Sequence, residues 1–71
     1  GQMILAQLVD RDVADRVYPT AYLTDTPFPG DLIATADGRT VMVLRRTFLD
    51  LGYNYNPSTP VLSVRLDVRP S

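Results

Sequence analysis

The chain has 71 residues, neither cysteine nor histidine, seven basic residues that are all arginine and eight acidic residues that are all aspartate, for a net charge of −1. Without cysteine it can build neither a disulfide framework nor a thiolate metal site. Without His, Cys, Lys or Glu it lacks most of the usual general bases and activated nucleophiles.

A chain of this length forms one domain with a thin core, burying only about 60% of the surface that its unfolded form exposes. Lysine and glutamate, both good helix formers, are missing, aspartate favours turns and caps, and six prolines interrupt the chain. A long helix is therefore not expected. Gly1-Gln2 reads as a cloning remnant, which leaves a single domain over residues 3–70. The apolar start Met3-Ile4-Leu5-Ala6 is broken by Gln7 and closed by Asp10. It is far shorter than the roughly 20 apolar residues that span a bilayer, and it has no basic flank of a signal peptide. A cytoplasmic location is expected.

The first strand is expected over residues 3–10. A helix continuing through Val13 and Val17 would drop Asp12 and Arg16 among its apolar side chains. Residues 11–15 form a polar loop. A second strand over 16–23 alternates Tyr18, Thr20 and Tyr22 against Val17, Ala21 and Leu23, and Pro19 restricts it to an edge or a bulge. Residues 24–30 form a connector, with a turn at Pro29-Gly30 and Phe28 as a lid over one end of the core.

The third strand, residues 31–36, leads through a tight Asp37-Gly38 turn to a fourth strand over 39–49. Glycine takes positive φ there without a Cβ clash, and aspartate tolerates it at the preceding position. The fourth strand should be central through Leu44, and Arg45-Arg46 marks where it emerges toward solvent or bends. Residues 50–60 form a loop dense in turn formers. The fifth strand, residues 61–69, should face Leu62, Val64, Leu66 and Val68 to the core and Val61, Ser63, Arg65, Asp67 and Arg69 outward, with Pro70 ending it. The fold expected is all-β: a small five-stranded antiparallel barrel of SH3-like type, or a strongly bent sheet, because closure removes exposed edges.

Three groups of residues are candidates for function. Asp10-Arg11-Asp12-x-x-Asp15 clusters carboxylates but lacks the glycine and late glutamate of a calcium loop, so it reads as a solvated hairpin loop. Arg45 and Arg65 can share an outer face beside Asp67, where salt bridging competes with a phosphate-binding role. Tyr53, Asn54 and Tyr55 form either a recognition loop or a cover for the barrel mouth. Asp31 and Asp37 read as turn formers, and Ser58 and Ser63 have no base to activate them.

The segment from Gly30-Asp31-Leu32-Ile33 through Asp37-Gly38-Arg39-Thr40-Val41-Met42-Val43-Leu44-Arg45-Arg46 resembles the central hairpin of several small bacterial and phage β-domains, including head–tail joining proteins. That resemblance implies an assembly or adaptor role. The function expected is a non-enzymatic protein interaction or assembly module. Its expected partner is a protein surface, including self-association through a sheet edge, and neither cofactor, metal nor membrane is expected. A single-stranded nucleic-acid-binding small barrel is the alternative, and an accessory subunit of an enzyme is a third reading.

Overall fold

The computed structural model describes residues 3–52 and 61–71, and every regular element among them is a strand. The strands are β1 (Ile4–Asp10), β2 (Ala21–Leu23), β3 (Leu32–Ala34), β4 (Thr40–Phe48) and β5 (Leu62–Pro70). They form one sheet in the order β2-β1-β5-β4-β3, curled into a half-barrel. The sheet is mixed rather than wholly antiparallel, because β1 pairs with β5 in parallel. Each of the four connections reverses the chain, so the fifth strand runs in the direction of the first. The run from β2 to β4 thereby serves as the long crossover that a parallel pair needs.

The core lies on the concave face. Ala6 and Leu8 come from β1, Val41 and Val43 from β4, and Val64, Leu66 and Val68 from β5, with Ile33 and Tyr18 beside them. The expected alternation of β5 holds at Val64, Leu66 and Val68, whereas Leu62 is only half-buried. Leu62 pairs with Leu5 where the β1–β5 register shifts, which takes it out of step with the residues that follow. Arg65 and Asp67 on the opposite face are half-buried by β1 and β4 on either side, not fully exposed. Pro70 does not lie beyond the strand: it is the last residue of β5, opposite Val41.

Two local corrections follow from turn chemistry. The turn between β3 and β4 is not a two-residue Asp-Gly turn. Thr35 N–H donates to the Arg39 carbonyl and Gly38 N–H to the Thr35 carbonyl, which encloses three residues. Gly38 alone takes positive φ (91°), as in a type I turn closed by a left-handed residue, and Asp37 has negative φ. The second strand is also shorter than expected. Pro19 has no N–H for a ladder, and the pairing near Val17 shrinks to an isolated bridge with Val9.

A bulge interrupts β4. Val43 pairs with Val68, but Arg45 pairs with Asp67, which leaves Leu44 as the extra residue. Beyond it the faces exchange: Arg46 and Phe48 oppose the inward residues Leu66 and Val64, and Arg45 and Thr47 turn outward. The arginine pair therefore marks a bend, as expected, and the bend carries Arg46 onto the core side of the sheet.

Candidate interaction site at the open seam

β2 and β3 are the end strands of the order and, among the described residues, neither has a second strand beside it. The backbone of β3 shows which of its groups have no partner among the described residues. Val43 N–H donates to the Asp31 carbonyl and Thr35 N–H to the Arg39 carbonyl, so residues 31, 33 and 35 face β4. Alternation then turns the N–H and C=O of Leu32 and Ala34 to the open side.

The curl brings the two edges to the sides of a groove of about 210 Å³, floored by Leu8, Ala21, Leu23 and Ile33. A second depression of about 380 Å³ continues it past Leu23 and Ile33 to Phe28 and Asp31. Tyr22 and Leu32, one on each edge strand, are 65% and 57% exposed.

One end of the seam is held by side chains that the sequence does not bring together. Asp10 closes β1 on its concave face and is 4% exposed. Its Oδ1 accepts from the backbone N–H groups of Asp12 (2.9 Å) and Val13 (2.8 Å), and its Oδ2 from Arg16 Nη1 and the Tyr18 hydroxyl, each at 3.0 Å. Asp10 is thus a buried organiser of its loop, not part of a solvated cluster. Burial pushes its carboxyl upward, but the two backbone donors, Tyr18 and Arg16 together outweigh it and hold the group below its ordinary value. Tyr18 moves the other way, raised by burial and by its bond to Asp10.

The Arg39 guanidinium lies 4.3 Å from the centre of the Tyr18 ring and donates to the Val17 carbonyl at 2.6 Å. It also makes a forked ion pair with Asp37, whose carboxyl is held down at about 2 by Arg39 and by the Thr35 hydroxyl. Arg39, at the β3–β4 turn, therefore reaches across the seam to the segment that leads into β2. Sequence alone gave one signal for this, the inward phase of Asp10 continuing Ala6 and Leu8.

Arg45 and Arg65 share the outer face, as expected, with Asp67 between their positions on the neighbouring strands. Arg45 Nε lies 3.9 Å from Asp67, a loose surface ion pair, and Arg65 Nε is buried with no hydrogen-bond partner among the described residues. Tyr53, Asn54 and Tyr55 lie outside the described residues. Phe28 is 59% exposed and stacks on Arg46 instead of covering the core.

Comparison of the chain with protein-family models, with curated proteins and with solved structures gives no match. No helix among the described residues is long and apolar enough to cross a membrane.

Proposed function

We propose that the domain is a non-enzymatic interaction or assembly module of a bacterial or phage system, SH3-like in size and curl and working in the cytoplasm, that takes an extended segment of a partner protein along the seam. The observation that carries this reading is the pair of strand edges, β2 and β3, that face a common apolar-floored groove. An extended chain laid there gains main-chain hydrogen bonds from the free groups of Leu32 and Ala34 and places alternate side chains over Leu8, Leu23 and Ile33. Cationic and aspartate side chains near the groove are largely committed to one another, as at Arg39 and Asp37, which leaves shape and backbone pairing as the recognisable features.

The test is selection of displayed heptapeptides on the immobilised domain, followed by hydrogen exchange on the complex. Binding sequences should alternate apolar residues and slow exchange at the Leu32 and Ala34 amides. Ala34→Pro removes one of those donors without touching the β3–β4 ladder, so it should leave the domain folded, weaken binding and reduce the protection remaining at Leu32. Selected peptides that bind Ala34→Pro as well as the wild type, or that protect amides away from β2 and β3, would overturn the proposal.

A further inference from the structure

Arg46 is placed where a strand does not ordinarily put an arginine. The bulge at Leu44 turns it to the core side of β4, opposite Leu66, with Phe48 two residues on opposite Val64. Its guanidinium carbon lies 4.1 Å from the centre of the Phe28 ring and 5.4 Å from that of Phe48. These rings are 59% and 64% exposed, so the cluster forms a surface at the end of the half-barrel where the Pro29-Gly30 turn docks through the Gly30 N–H bond to the Val43 carbonyl. Arg11, Arg16, Arg39 and Arg45 are each within ion-pair distance of an aspartate, whereas among the described residues Arg46, Arg65 and Arg69 pair with none, and of these three only Arg46 is stacked on aromatic rings.

We propose that Arg46, oriented by Phe28 and Phe48, is an anchor for the side-chain carboxylate of an aspartate or glutamate on a protein partner. A guanidinium resting on an aromatic face keeps its N–H groups in its own plane and free at its edge. The group that fits such an edge is planar and accepts two parallel hydrogen bonds, which describes a carboxylate. Arginine and aromatic residues, phenylalanine included, are also enriched at protein interfaces. A nucleic-acid strand is disfavoured at the same place, because a chain of net charge −1 offers no basic tract to follow a polyphosphate. The bulge gains a purpose in this light, since bulges re-aim side chains at functional positions. This site does not depend on the seam and can fail or hold independently of it.

The test follows the Arg46 Nε–H signal by NMR at constant ionic strength. The probes are acetyl-Val-Asp-Val-amide, its asparagine analogue, inorganic phosphate and an oligothymidylate. The aspartate peptide should move the Arg46 signal and the ring signals of Phe28 and Phe48, with an affinity about tenfold above that of the asparagine analogue. Arg46→Gln should remove the response. Arg46→Lys, which keeps the charge and loses the planar fork, should weaken it by about tenfold. Equal binding of the asparagine analogue, a full response in Arg46→Lys, or tighter binding of phosphate or oligothymidylate than of the peptide would each overturn the proposal. So would titration of the aspartate peptide with no movement at Arg46.

Discussion

The Tyr18→Phe substitution isolates one atom of the network that holds the seam. Tyr18 is 7% exposed, and its hydroxyl donates to Asp10 Oδ2 at 3.0 Å. Phenylalanine keeps the ring, and with it the stacking of Arg39 at 4.3 Å, so only the hydroxyl is lost. A hydrogen bond to a charged group contributes about 1.5–3 kcal/mol, a large part of the roughly 5 kcal/mol expected of so small a domain. At about 4–8 °C per kcal/mol, the melting temperature should fall by roughly 6–24 °C.

Circular dichroism melts at neutral and acidic pH test both the size and the cause. The Asp10 carboxyl titrates below its ordinary value of 3.8 in the folded state, so the stability that it contributes is present above that value and is lost as pH falls through the folded value. The variant lacks one of the donors that depress it, so the gap between wild type and variant should narrow as pH drops below 4. An unchanged melting temperature at neutral pH, or a gap that ignores pH, would show that the hydroxyl does not serve the Asp10 carboxylate.

Val64→Asp should unfold the domain, because Val64 is 1% exposed and an unpaired buried charge costs several kcal/mol against that same total of about 5. A native-like circular dichroism spectrum would place the β5 register one residue out. Gly38→Val should destabilise by about 1–3 kcal/mol through backbone strain alone, since Gly38 sits at φ 91° and an added Cβ meets no atom within 4 Å. Thermal melting checks it, and an unchanged midpoint would refute the positive φ.

What was legible in the sequence was what depends on neighbours within a strand. The alternation of Val64, Leu66 and Val68 fixes one face of β5, and the apolar first half of β4 puts Val41 and Val43 in the core. Gly38 announces its turn, although the number of residues enclosed depends on the Thr35–Arg39 pairing that composition does not reveal. Arg65 and Asp67 could be placed on one face because strand parity is local, whereas Arg45 joins them only because the extra residue at Leu44 reverses the phase set by Val41 and Val43.

The rest depends on contacts distant in the chain or on a broken period. The parallel β1–β5 pair is a product of topology, and nothing in either strand marks it. Asp10 looks like a solvated loop residue until Tyr18 arrives from eight residues away. Arg46 looks solvent-facing or ambiguous until the extra residue at Leu44 shifts the parity behind it. The seam is invisible in sequence because it lies where, among the described residues, β2 and β3 each have only one strand neighbour.

The arginine content invites a nucleic-acid reading, and the placement of those arginines argues against it. Arg16 is committed to the buried Asp10, Arg39 to Asp37, Arg11 to Asp12 and, more loosely, Arg45 to Asp67. Arg65 lies between Gln7 and Thr47 with its Nε buried, so it cannot swing freely toward a phosphate. A strand of single-stranded DNA tracking the outer face, which Arg69 also shares, would meet Asp67 in the midst of its arginines and would have to displace Arg45 from it. The expected result is no measurable binding of a fluorescent oligothymidylate at physiological salt. Were the outer face a phosphate surface, affinity would fall steeply with salt, by a slope of about 0.7 for each phosphate contact, and replacing both Arg45 and Arg65 with alanine would shallow that slope by roughly one to two units. Micromolar, salt-sensitive binding that this double variant weakens would overturn the protein-partner reading of that face. Binding that only Arg46→Gln weakens would instead move the anion to the other side of the sheet, where the bulge has already turned a guanidinium toward the rim.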